Sequence, residues 1–176
     1  NHLTLERFHI IADWYHFPLL EIIGLQYEEY SFKELAEILG ITEANVASAI
    51  ERMKMVGLLE EETTEFGTTK FNVKSKYTLA GDEGESRAIQ IAHQQFLNMQ
   101  AQFVEKKPYD ERDNLDVTFR FSQSDWEPMC GELRTAMMGV LSKYASSEKK
   151  KDQVICLTMQ MVTLLNSKAG GARYDS

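Results

Sequence analysis

Three groups of side chains in this sequence have residue types and spacings suited to chemistry. His9, Asp13 and His16 stand four and three residues apart, so a continuous helix would carry all three on one face, and imidazole and carboxylate are metal ligands. The two histidines are nevertheless about 10 Å apart along such a helix, too far to clasp one ion, so no metal centre is assigned. Asn45, Ser48, Arg52 and Lys54 form the second group. An amide and a hydroxyl can read base edges, while a guanidinium and an ammonium can hold phosphate. Lys70, Lys74 and Lys76 form the third, a basic stripe that suits either phosphate contact or a solvated strand face.

Covalent chemistry has no such group. The chain has no Gly-x-Ser-x-Gly elbow, and neither Cys130 nor Cys156 belongs to a recognised thiol–imidazole motif. Gly81–Asp82–Glu83–Gly84 is acidic and lacks the lysine of a phosphate loop. The reading is therefore a non-enzymatic protein without cofactor or metal, its small-molecule ligand, if it has one, unspecified.

The elements that must position these residues follow from hydrophobic spacing. Leu5, Phe8, Ile11, Ala12 and Tyr15 describe a helical stripe, which Pro18 is expected to end or kink at Phe17. Leu19, Leu20, Ile22 and Ile23 carry the apolar face on to Gly24. Ser31–Phe32–Lys33–Glu34 has the hydroxyl-to-carboxylate spacing of a capping box and opens a helix with Leu35, Ala36, Ile38 and Leu39 inward, stopped by Gly40. Thr42 then caps a second helix carrying Ala44, Val46, Ala47, Ile50, Met53 and Met55, which ends at Gly57. Two short capped helices joined by a tight glycine turn describe a helix-turn-helix. Behind it, Leu58–Glu62 and Lys70–Lys74 read as strands around a turn with Gly67, with Phe71 and Val73 on one face. Residues 1–80 are thus expected to form a winged helix-turn-helix, with Asn45, Ser48, Arg52 and Lys54 on the groove-facing helix and the lysine stripe on the wing.

A boundary is placed at Ala80–Gly84. Residues 81–166 are expected to form an α/β association or sensing domain: a helix marked by Ile89, Ala92, Phe96, Met99 and Phe103, then a β-α-β unit. Its parts are a strand with Val117, Phe119 and Phe121 on one face, a helix entered at Ser124–Glu127, and the apolar run Val154–Leu165, which suits a buried strand with a helix as the alternative. Residues 167–176 read as a flexible tail. The fold class is α+β.

Composition narrows the setting. The 176 residues are 43% hydrophobic and 26% charged, with 19 Lys and Arg against 27 Asp and Glu, a net charge of −8. No apolar run approaches a bilayer span, and the first residues lack the pattern of a secretory signal. Two cysteines without a framework suit reduced thiols, so a cytoplasmic protein is expected.

The runs Arg7–His16, Phe32–Ala36 and Leu39–Ile41 resemble a family of uncharacterised bacterial winged-helix proteins taken to be transcriptional regulators. Tyr109–Asp113 ahead of Val117–Phe121, and the late Asp152–Val154, are similar to that family's C-terminal portion. The resemblance implies transcription regulation, and it implies a further repressor-like segment in front of a chain such as this one, which starts without Met.

Charge sets a limit on that implication. Residues 1–80 hold seven Lys and Arg against thirteen Asp and Glu, so −6 of the −8 falls on the expected winged helix, and Glu43 and Glu51 share the groove-facing helix. Duplex DNA is gripped largely by phosphate neutralisation. Two uses of the fold therefore stand at this point: a transcriptional regulator that contacts duplex DNA and forms a homodimer through its C-terminal domain, or an acidic winged-helix module that docks protein and does not itself touch DNA.

Overall fold

The computed structural model describes residues 9–10, 12–25, 30–63, 69–74 and 87–164. It is an α+β arrangement of five helices of eight residues or more and one two-stranded antiparallel sheet among those residues: α1 His16–Gly24, α2 Phe32–Leu39, α3 Glu43–Met55, β1 Leu59–Thr63, β2 Thr69–Val73, α4 Arg87–Lys106 and α5 Trp126–Ala145.

Local chemistry explains α2 and α3. The Ser31 hydroxyl accepts from the Glu34 amide while the Glu34 carboxylate accepts from the Ser31 amide at 2.8 Å, a reciprocal box that satisfies two amides the helix cannot. Thr42 and Asn45 repeat it at the start of α3, with the Asn45 amide donating to the Thr42 hydroxyl at 3.1 Å. Gly40 closes α2 at φ 66° and Gly57 follows α3 at φ 77°, both left-handed conformations that favour glycine. Beyond Gly57 the chain enters β1, which pairs with β2 from Leu59 opposite Val73 to Thr63 opposite Thr69.

These elements share one core. Leu19, Leu20 and Ile22 of α1, Leu35, Ala36 and Leu39 of α2, Val46, Ala49, Ile50 and Met53 of α3, and Leu59 of β1 are buried together, with Ile10 among them. Phe71 and Val73 of β2 pack against them from the sheet. Burying each Leu, Ile or Met side chain is worth roughly 1.5–3 kcal/mol, so this cluster holds the helix pair against the hairpin. Ala44, Met55 and Ile38, which the spacing turns inward, are exposed, and Ala49 takes the inward place on α3.

Pro18 acts differently from the expectation. The helical turn containing His9, Ile10 and Ala12 breaks at Asp13–Tyr15, and α1 restarts at His16 with Pro18 inside its first turn. A first-turn amide has no intrahelical partner, so the missing proline N–H costs nothing there. Leu5, Phe8 and Ile11 lie outside the described residues.

The expected β-α-β unit is not formed. Residues 112–122 and 151–163 carry no regular structure and no ladder, and only its helix, α5, is present. Alternation such as Val117, Phe119, Phe121 makes a strand only when a neighbouring strand takes its backbone hydrogen bonds, and among the described residues none does. Far from being buried, Ile155 is 83% and Leu164 81% exposed. The entry to α5 also differs: Asp125 is its N-cap without a side-chain cap bond, after a short 3-10 turn Gln123–Asp125.

α4 reaches the front of the molecule. The Trp14 amide donates to Gln95 Oε1 at 3.1 Å, the Trp14 and Phe96 rings meet edge-on at 6.3 Å, and Val154 packs against the common core. The positions 80–84 and 167–176 lie outside the described residues. No helix among the described residues is long and apolar enough to cross a membrane.

Candidate nucleic-acid interface

Three of the cations expected to hold phosphate, Arg52, Lys54 and Lys74, are held by carboxylates. Arg52, half-buried on α3, places Nη1 3.5 Å from Oδ2 of Asp13 at the helix break. Lys54, two residues on, donates to Glu51 Oε1 at 3.0 Å and to Glu61 Oε2 on β1. Both acceptors raise the Lys54 pKa, the Glu61 hydrogen bond most. The strand register explains this contact: Glu61 lies opposite Phe71, on the sheet face turned toward the core and α3. Lys74 Nζ meets Glu60 Oε2 at 2.6 Å on the opposite face.

Asn45 is committed as well. Its side-chain oxygen accepts from the Thr42 amide at 3.3 Å as part of the cap, and its side chain also hydrogen-bonds Tyr15. An amide used to start the helix is a poor reader of base edges, since reading a base needs its oxygen and nitrogen together. Ser48 is exposed on α3, alongside Ala44 and Glu51. Lys70 is exposed, has no ion pair among the described residues, and lies opposite Glu62 in the ladder, where Glu62 takes a hydrogen bond from Asn72 at 2.7 Å. Lys76 lies outside the described residues. Of the residues assigned to DNA contact, the structure therefore leaves Ser48 and Lys70 outward-facing with no carboxylate partner among the described residues, and ties Arg52, Lys54 and Lys74 into pairs.

Asp13 organises a polar cluster that sequence spacing does not reveal. Besides Arg52, its carboxylate accepts from the Tyr15 hydroxyl at 3.4 Å and lies 3.7 Å from His9 Nδ1. Tyr15 is held above its usual pKa, first by burial and then by the Asp13 charge. His16 is fully buried, its ring stacked on Tyr15 at 4.9 Å. Its Nδ1 lies 3.0 Å from the Asp13 carbonyl; a carbonyl only accepts, which assigns the ring proton to Nδ1. Nε2 then keeps a lone pair with no hydrogen-bond partner among the described residues. Burial, the largest cause, pushes the His16 pKa down. The break at Asp13–Tyr15 removes the common helical face on which His9, Asp13 and His16 would have stood, and no group of three ligand-type residues fit for a metal occurs among the described residues.

Sequence reading named Asp13 as a possible metal ligand and missed its pairing with Arg52, as it missed the pairing of Glu61 with Lys54 and of Glu60 with Lys74. The run Glu60–Glu62 signals an acidic strand, but nothing local says that Asp13 and Arg52, 39 positions apart, will meet. A cleft lined by Trp14, Ile41, Gln95, Asn98, Phe103 and Lys106 opens between α4 and the α2–α3 turn.

Residues 1–164 match a family described as a domain of unknown function, DUF4423, and the chain belongs to that family. No curated protein and no solved structure matches it.

Proposed function

We propose that this chain works in transcription regulation, with residues 1–80 folded as a winged helix-turn-helix that docks against protein and does not itself grip duplex DNA. The regulatory class is supported by the two capped helices α2 and α3, their glycine turn, and the β1–β2 hairpin entered four residues after α3 on a shared core. The C-terminal part serves self-association in this reading.

One observation carries the mode of action. Phosphate contact needs cations whose charge is available, because affinity comes from releasing condensed counterions. Here Arg52, Lys54 and Lys74 each face a carboxylate within 3.5 Å in a segment of net charge −6. Binding DNA would require breaking those pairs and bringing an acidic surface against the polyanion. The outward face of α3, with Ala44, Ser48, Glu51 and Met55, instead suits a partner presenting an apolar patch rimmed by cations.

Fluorescence anisotropy with labelled duplex DNA at low salt tests the proposal. The expected result is no saturable binding at micromolar protein. Binding that weakens steeply with salt and is lost in Arg52→Ala would overturn it in favour of direct DNA contact.

A further inference from the structure

We propose that α5 is the seam of an antiparallel dimer and that the surface it leaves open is filled by α5 of a second copy of this chain. The inference concerns association alone and stands apart from whether α3 meets protein or DNA.

Trp126, Cys130, Leu133, Met137, Val140 and Tyr144 recur at alternating four- and three-residue steps along the 20 residues of α5. That is the spacing of a coiled-coil seam, in which every such residue packs into the facing helix. No residue of α5 is buried: Leu133 is 41%, Val140 57% and Tyr144 66% exposed. Leu115, Val117 and Phe119 before the helix and Ile155, Leu157, Val162 and Leu164 after it are more than half exposed as well. Together they leave a series of large apolar side chains uncovered on and around α5, the kind of surface that marks an association site.

Register and charge both select a second copy, turned end for end. With two α5 helices antiparallel about residue 135, Trp126 of one lies level with Tyr144 of the other, Cys130 with Val140, and Leu133 with Met137. All six seam residues then enter layers. A parallel pair would stack Trp126 on Trp126 and Cys130 on Cys130. Asp125 and Glu127 mark the N-terminal end of α5, while residues 143–152, toward and beyond its C-terminal end, hold Lys143, Lys149, Lys150 and Lys151 against Glu148 and Asp152 and stay net positive. Antiparallel copies bring the acidic end of one beside the basic end of the other, whereas parallel copies set like charge against like. Residues 107–164 are also close to neutral, with eight Lys and Arg against nine Asp and Glu, so two copies meet there without the repulsion that residues 1–80 would impose.

Thiol cross-linking of the full chain tests both partner and direction. In a Cys156→Ser background Cys130 is the remaining thiol, and the antiparallel register holds the two Cys130 side chains about 15 Å apart along the axis. Mild oxidation is expected to leave Cys156→Ser unlinked, and to link the Cys156→Ser/Val140→Cys variant into covalent dimers. Light scattering is expected to give twice the chain mass for the unmodified protein, falling to one chain mass in Leu133→Glu/Val140→Glu with its helical circular dichroism kept. A single-chain mass for the unmodified protein at tens of micromolar would overturn the dimer. Cross-linking of Cys156→Ser alone would overturn the antiparallel arrangement.

Discussion

The Asp13 carboxylate meets the Arg52 guanidinium at 3.5 Å, joining the break between two helical segments to the last turn of α3. Arg52 is the side chain best placed by its type to hold phosphate, and this contact turns it inward to a structural task. The same carboxylate receives Tyr15, so one acidic residue fixes the entry to α1 and neutralises the outward helix.

Replacing Asp13 by Asn is expected to destabilise the fold by about 1–3 kcal/mol, because a half-buried guanidinium loses its counter-charge while a neutral amide takes the carboxylate's place beside it. Urea denaturation followed by circular dichroism measures this as a lowered midpoint at unchanged slope. An unchanged midpoint would mean that the pair contributes nothing.

The cap of α3 predicts a smaller effect. Thr42→Ala removes the hydroxyl that accepts from the Asn45 amide and is expected to cost about 1 kcal/mol. Ile50→Ala, which opens a cavity at a position 1% exposed, is expected to cost about 2–5 kcal/mol. Comparing the two by thermal denaturation checks that core packing outweighs the cap.

His16 predicts a pH dependence. Burial holds its folded-state pKa below the ordinary 6.5, so the unfolded chain takes up this proton first as the pH falls. Its contribution to stability is therefore complete above 6.5 and declines as the pH drops below that value. Urea midpoints at about pH 8 and about pH 5.5 should differ more in the unmodified protein than in His16→Leu. Equal differences would exclude His16 as the source.

Much of the front part was legible because its signals are local. Ser31 with Glu34, Thr42, Gly40 and Gly57 each act within one turn of helix, and the alternation of Phe71 and Val73 places β2 against a core that α1, α2 and α3 supply. Pro18 was misleading since proline both ends helices and sits in their first turns, and the sequence around it does not say which. The Asp13–Arg52 pair was invisible because it depends on how two elements dock. Spacing also placed strands at Val117–Phe121 and Val154–Leu165, where apolar side chains are present but no neighbouring strand among the described residues accepts their backbone. Of the candidate interface, sequence identified the cations and their acidic setting, while the structure supplied their partners.

Freeing the cations should change what the surface binds. Glu51→Gln with Glu61→Gln removes both carboxylates on Lys54, and Glu60→Gln releases Lys74, which shifts the segment from −6 toward neutrality. The triple variant is expected to acquire weak, salt-sensitive affinity for duplex DNA that the unmodified chain lacks. Electrophoretic mobility shift with a non-specific duplex reads this directly. A variant as inert as its parent would show that ion pairing is not what withholds these lysines.

The proposal that residues 1–80 do not grip duplex DNA rests on the pairing of Arg52, Lys54 and Lys74 with carboxylates, and anisotropy titration of the unmodified chain with duplex DNA across a salt series checks it. No saturable binding is expected from about 50 to about 200 mM salt. Saturable binding at the low end that falls steeply with salt, and that Arg52→Ala or Lys54→Ala abolishes, would contradict it.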